Sequence, residues 1–506
     1  MSRDNKISKR LLQGHPLFWA PIFSSDGNFY VSSGKGPGHS NLHAFTAEGE
    51  LLWKSDPQTS LDDLDSYAII NAPVVDRNGH IYVGDINQLW AFYPDGKLKW
   101  VSDLTQYGIQ YGFMTVVLSH KGSVGGISSN GKVIFLNAKD GKLKVPVLDL
   151  PGGQGPPAED SPPRQLWADL MDPALKPIMF NLIQGWEMEV ANTPALHPTL
   201  DRIYITAAGV EAGSGALYGI DLKKDRLEIA FTATMGGGSG TSPTVSHDGR
   251  QVYALDEAGH MVAIDAYTGK PLWETAEGGG GAASPSVGKD GRIYTASQSH
   301  LLAFRPDGSP DFNYAYDDFC ADQIPAVSGL WKFIFSQPVA FIDSLLTISP
   351  KEGWLNIVCG HHLLLLPTKS KRTRVPIPLL STIVPIDLNS GAPIGEPLII
   401  PETSEGFILP TMDGGTIVTL SGAISSIYYH ALNPLLPKRF EVPNEPQAGL
   451  LMLEPVSRAD YARESLAWIR EQSKAAHEKL STEDRASALA LLRETSLQRT
   501  ATRATL

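Results

Sequence analysis

Residues 242–273 read SPTVSHDGRQVYALDEAGHMVAIDAYTGKPLW, and this stretch decides the fold. Four short apolar pieces, Pro243 to Val245, Gln251 to Leu255, Met261 to Asp265 and Pro271 to Thr275, are separated by Asp248-Gly249, Ala258-Gly259 and Thr268-Gly269. Such pairs supply the positive φ of tight hairpin turns, so the unit is predicted to be a four-stranded antiparallel meander. Both of its faces carry apolar residues, among them Val245, Tyr253, Val262 and Ile264. A single sheet of this kind needs neighbours on both sides.

The remaining sequence contains those neighbours. Copies of the pattern run over 19–53, 71–100, 113–145, 192–231 and 283–312, the third with Met114 and Val145 where the others have Pro and Trp. Weaker copies are placed at 337–400 and 406–442. A chain of 506 residues is too long for one ordinary core, and repetition builds the core piecewise. The expected fold is all-β: an eight-bladed β-propeller of four-stranded antiparallel blades, with seven blades as the alternative count. The expected organisation is an N-terminal segment over 1–18, a propeller over 19–456, and a C-terminal helical appendage and tail over 457–506.

The repeat motif carries a resemblance. AIDAYTGKPLW at 263–273 is similar to the Ala-x-Asp-x-x-Thr-Gly-x-x-x-Trp repeat of the pyrroloquinoline-quinone-like (PQQ-like) propellers, and Ala44 to Trp53 and Ala91 to Trp100 are shorter variants. The resemblance is good over 19–312 and weak over 337–442. It implies that Trp53, Trp100 and Trp273 dock between adjacent blades, with Phe231 and Phe312 as substitutes. It also implies either a quinoprotein dehydrogenase or a non-catalytic scaffold, such as the lipoprotein of the bacterial barrel-assembly machinery. The alcohol-oxidising members carry adjacent cysteines and a calcium set, whereas Cys320 and Cys359 lie apart and no such set is matched here. The scaffold members carry a lipid-bearing N-terminal Cys, which is also missing from the sequence as written. PQQ with calcium is therefore possible as cofactor but unsupported by adjacent cysteines.

Composition narrows the partners. A net charge of −12 argues against a nucleic-acid binder, leaving a protein partner or a small molecule. No run of 18 apolar residues predicts a transmembrane segment, and MSRDNKISKRLLQGHPLFW lacks an apolar h-region. The expectation is a cytoplasmic protein as written, or a periplasmic or secreted one if a signal peptide was removed. Two cysteines allow one disulfide or two free thiols.

Function is expected where the repeat is interrupted, because blade strands are committed to packing. The insertion 150–191 is apolar enough for a lid or brace and contains Trp186, Glu187 and Glu189, the two carboxylates facing one way in a strand. The insertion 313–336 combines Tyr314, Tyr316 and Phe319 with Asp317, Asp318 and Asp322, a mixture suited to a polar ligand, while Leu330 to Phe335 reads as buried. It has no DxDxDG loop, so no metal is assigned. His361-His362 would point to opposite faces of a strand and reads as packing. The glycine runs at 235–241 and 277–284 lack a phosphate-loop pattern. Tyr67, Asn71, Tyr107 and Tyr111 lie on the corresponding connections and are the candidate axial pocket. The candidate ligand-binding set is thus Tyr67, Asn71, Tyr107, Tyr111, Trp186, Glu187, Asp317 and Asp318.

Two charged features complete the reading. Lys369, Lys371, Arg372 and Arg374 form a basic hairpin tip, read as a solvated turn or as a contact for an acidic partner. From Ser457 the pattern turns helical, with Leu466, Trp468 and Ile469 on one face, and a second helix is expected from Thr482 to Arg493. Residues 457–506 carry a net +2 against −14 for the rest, which favours docking on the propeller over a separate partner-binding hairpin.

Overall fold

The computed structural model describes the chain apart from residues 1–4, 35–37, 58–70, 86, 110–112, 129–130, 153–192, 212–213, 237–240, 257–258, 276–283, 298, 343–346, 349–351, 365–373, 396, 401–406, 412–414, 423–428, 431–432, 436–437, 439–440, 442–447, 456–469 and 471–506. The lid-like insertion and the predicted C-terminal helices, except for Arg470, lie outside the described residues.

Eight antiparallel sheets are present, so the eight-bladed count holds. In the quoted repeat the strands are Thr244–Val245, Gln251–Leu255, Met261–Asp265 and Pro271–Thr275, paired in sequence order from the axis outward. The same order gives blade 1 from Ile22–Phe23 to Leu51–Lys54, blade 2 from Val74–Val75 to Leu98–Asp103, and blade 3 from Phe113–Leu118 to Leu148–Asp149. Blade 4 runs from Ala195–Leu196 to Leu227–Met235, blade 5 is the quoted repeat, and blade 6 runs from Ser286–Val287 to Pro310–Ala315. Blade 7 is larger: Val339–Ile342 and Thr347–Ile348 both pair with Glu352–Leu364, followed by Arg374–Asp387 and Leu398–Ile400.

The last blade differs from the sequence reading. Its first two strands are Ile408–Pro410 and Thr416–Leu420, as expected, but its third is Gly449–Pro455, beyond the segment read as completing it. Residues near 427–443, read as strands, include instead a 3-10 turn at Asn433–Leu435. The fourth strand is Asn5–Leu11 from the N-terminus, pairing from Asn5↔Pro455 to Leu11↔Leu450. This strand covers an edge that would otherwise stay open, and it ties both ends of the propeller into one sheet. Stacking of Trp19 on Phe407 and an ion pair between Lys9 and Glu50 reinforce the junction of blades 8 and 1.

The core is a ring of seams. Among the described residues the buried apolar side chains fall into eight clusters, each bridging two neighbouring blades, as with Tyr204, Leu217 and Phe231 of blade 4 against Val252, Val262 and Ile264 of blade 5. The outer-strand aromatics seal these seams. Trp53, Trp100 and Trp273 each donate from Nε1 to a carbonyl in the next blade's third-to-fourth turn, at Pro94, Ala138 and Pro306. Each ring lies over the glycine of that same turn, namely Gly96, Gly141 and Gly308, while Phe231 and Phe312 cover Gly269 and Gly391. The motif's Gly and Trp are therefore two halves of one contact made between neighbouring repeats. Tyr82, Tyr204 and Tyr294 add hydroxyl bonds to Ala138, Ala266 and Leu388 across the seams.

Antiparallel order gives the two faces different characters. First-to-second and third-to-fourth connections emerge on one face, and here they are mostly tight turns such as Asp248-Gly249 and Thr268-Gly269. Second-to-third connections and those leading to the next blade emerge on the other. On that face, called the connection face below, the chain leaves the strands ending at Lys54, Asp103, Asp149, Ala315, Leu364 and Leu420.

Candidate binding face

The axis end of the connection face is built by the inner strands and the residues leading into them. Their side chains include Ile22, Val74, Val75, Leu196, Val245, Val287 and Ile348, with threonines and serines tying neighbours together: Thr206 Oγ1 donates to Thr241 O at 2.7 Å and Thr244 Oγ1 to Pro285 O at 2.6 Å. The described inner strands themselves carry no lysine or arginine.

The sequence-derived pocket set is dispersed. Asn71 is fully buried between blades 1 and 2, its N–H bonded to Gly84 O at 3.0 Å and its own carbonyl accepting from Ser32. Tyr107 closes the 3-10 turn Thr105–Tyr107 and packs on the seam of blades 2 and 3. Tyr67, Tyr111, Trp186, Glu187 and Glu189 lie outside the described residues. Asp317 accepts from Ser299 Oγ and lies 3.5 Å from His300 Nε2, and Asp318 is exposed beside it. Tyr316 and Phe319, read as ligand aromatics, pack into the seam of blades 6 and 7.

Two histidines on this face went unnoticed in the sequence. His260 and His300 both immediately precede the pleat that starts at Met261 and Leu301, so they occupy the same position in blades 5 and 6. Each faces an oxygen on its own outer strand: His260 Nδ1 is 3.2 Å from Glu274, and His300 Nδ1 is 2.7 Å from Asn313. The register pairs Val262 with Glu274 and Leu302 with Asn313, which explains the equivalence. Aligning the repeats would have exposed it.

Asp256, His260 and Glu274 offer ligand atoms within 4.8 Å of one another, a spacing compatible with a divalent cation. Yet Asp256 braces its own turn, taking the His260 N–H at 2.8 Å and facing His260 Nδ1 at 3.0 Å. The same Asp-x-x-x-His brace recurs at Asp76 and His80 on the opposite face, where Tyr82 completes it and, among the described residues, no third ligand is grouped with it. The cluster is explained by turn geometry. His361 and His362 behave as read: His361 Nδ1 is 3.0 Å from Ser336 O, and His362 packs edge-on to Phe341.

His43 lies in the seam of blades 8 and 1, 4% exposed, against His15 and Phe45. Burial, aided by the nearby charges of His15 and Lys54, pushes its pKa down to about 4. The unfolded chain takes up this proton near 6.5, the folded chain only near 4, so the contribution is complete above 6.5 and is lost as pH falls towards 4. The loss amounts to about 3 kcal/mol. His197 and His361, also lowered chiefly by burial, act in the same direction. In H43Q the melting temperature is expected to fall less steeply between pH 6.5 and 4; equal slopes for variant and parent would refute the assignment.

The family model described as outer membrane protein assembly factor BamB matches residues 38–309, more than half of the chain. The chain belongs to this PQQ-like propeller family. Among solved structures, this PQQ-like propeller is similar to a europium-containing methanol dehydrogenase, with 12% identity, 89% of this chain and 93% of that chain covered, and a TM-score of 0.51. It is also similar to dihydro-heme d1 dehydrogenase NirN in complex with DHE (13%, 90% and 81%, TM-score 0.47) and to BamB from Moraxella catarrhalis (15%, 70% and 94%, TM-score 0.36). A comparison with curated proteins finds no match. Among the described residues no helix is long and apolar enough to cross a membrane.

One correction concerns the second insertion. Leu330 and Phe333, read as buried, are 81% and 79% exposed, and Ile334 is 41% exposed. Hydrophobicity alone suggested the interior, but the 3-10 turn Gly329–Phe333 directs Trp331 inward and the residues around it outward.

Proposed function

We propose that this PQQ-like propeller is a binding scaffold that recognises a protein partner on its connection face. The observation that carries the reading is the asymmetry of the faces: tight turns occupy one, and the strands that flank the longest intervals of sequence open onto the other. Binding residues concentrate on such connections because the rigid sheets beneath hold them in place. The family description names an assembly factor, which supports the reading. The Cys320–Cys359 disulfide favours an oxidising compartment, the periplasm or the exterior, over the cytoplasm.

Photo-crosslinking separates the faces. A crosslinkable residue replacing Val210, exposed on the connection face, is expected to give discrete protein adducts in the native host, whereas one replacing Asp95 on the turn face gives none. Incubation with PQQ and calcium is expected to produce neither quinone uptake nor dye-linked alcohol oxidation. Uptake accompanied by oxidation, or adducts only from Asp95, would overturn the proposal.

A further inference from the structure

Blades 2 and 3 carry the same five residues, Asp-Gly-Lys-Leu-Lys, at 95–99 and 140–144, where the third strand turns into the fourth. In blade 2 both lysines are engaged: Lys97 pairs with Asp95 at 2.8 Å, and Lys99 Nζ donates to Ala138 O at 3.0 Å. In blade 3 they are not. Asp140 accepts from the backbone N–H of Lys142, and Asp149 is taken by Lys132. Among the described residues no carboxylate pairs with Lys142, Lys144 or the neighbouring Lys139, and all three are exposed. At the corresponding turns of blades 4 and 6 cations are paired, Lys223 with Asp221, Arg226 with Glu228 and Arg305 with Asp311. In a chain of net charge −12, this one hairpin presents three uncompensated lysines.

The backbone beside them is open as well. The fourth strand of blade 3, Leu148–Asp149, has two residues, against four to nine in blades 1, 2, 4, 5 and 6. Ahead of it a single bridge, Leu136↔Leu143, holds the chain to the third strand. Its bonds are made by the neighbours of Leu143: Lys142 O accepts from Asn137 N–H at 2.8 Å, and Lys144 N–H donates to Phe135 O at 2.9 Å. Antiparallel geometry therefore turns the N–H and C=O of Leu143 outward along the edge. The Leu143 side chain is itself 37% exposed, and Pro146 ends the open stretch.

We propose that this edge of blade 3 docks an extended acidic segment of a partner protein. Backbone bonds to Leu143 align the segment, and carboxylates spaced along it meet Lys142, Lys144 and Lys139. Lysines on a sheet edge deter unsought strand pairing, and an acidic strand is the partner they do not deter. A lipid surface is disfavoured because the part-exposed Leu143 is the hairpin's single apolar side chain beside the lysines, too little to insert, and a nucleic acid because the chain around the lysines is acidic. The edge lies on the outer rim, away from the connection face. Asp95 stands one blade away, in the turn covered by Trp53 of blade 1, so the inference is independent of the partner proposed above.

Fluorescence anisotropy tests it, using the full chain and a labelled peptide of alternating Glu and Val, with a peptide of alternating Lys and Val as control. The expected result is binding of the acidic peptide alone, weakened about tenfold or more by K142E/K144E and reduced by raised salt. K270E/K289E changes the net charge equally through exposed lysines of blades 5 and 6, and is expected to leave the affinity within about twofold. Thermal melts establish that both variants remain folded. Absence of binding, binding unchanged in K142E/K144E, or equal weakening by both variants would overturn the proposal. Binding of single-stranded DNA or of phosphatidylglycerol vesicles that is lost in K142E/K144E, without binding of the acidic peptide, would also overturn it by assigning the lysines to a different anion.

Discussion

Trp273→Ala is expected to destabilise the propeller by about 3 kcal/mol, the low end of the range for removing a large aromatic, because the indole is partly buried. The indole closes the seam of blades 5 and 6, stacking near Tyr253, bonding Pro306 O at 2.9 Å and covering Gly308. Gly308 has φ +85°, and a Cβ there would lie 2.6 Å from the indole. Gly308→Ala therefore destabilises through both backbone conformation and steric overlap. The two sites share one space, so the double variant W273A/G308A should lose less than the sum of the single losses. Denaturant melts measure all three. A melt of W273A indistinguishable from the parent would show that this seam does not depend on the tryptophan.

Replacing both Cys320 and Cys359 by alanine is expected to destabilise the chain by about 4 kcal/mol, the loop-entropy estimate for a bridge across 39 residues. Both cysteines are fully buried at the seam of blades 6 and 7, among Tyr316, Leu355 and Ile357. The loss should be concentrated there: amide exchange should accelerate over 316–338 more than in blades 2 to 5, because each blade contacts only its neighbours. Uniform acceleration around the ring, or an unchanged melt, would show that the bridge does not hold this insertion.

Much of this molecule is determined locally. Turn pairs such as Asp248-Gly249, alternating apolar residues and a recurring Gly and Trp specify a blade within about 30 residues, because hairpin geometry depends on residues close in the chain. Repetition then specifies the ring, and the roles of Trp53, Trp100, Trp273, Phe231 and Phe312 could be read from the motif. What remained hidden depends on separation in sequence. The strand Asn5–Leu11 completes a sheet more than 400 residues away, and no local pattern announces its partner. Asn71 and Tyr107 lay on the right connections, but only the packing of neighbouring blades shows that they are taken into seams. The hydrophobic run 330–335 reads as interior in any one-dimensional account. Leu330 and Phe333 are left in water because a disulfide, a single inward tryptophan and a short 3-10 turn decide which side of the segment faces the core, and that choice exists only in three dimensions.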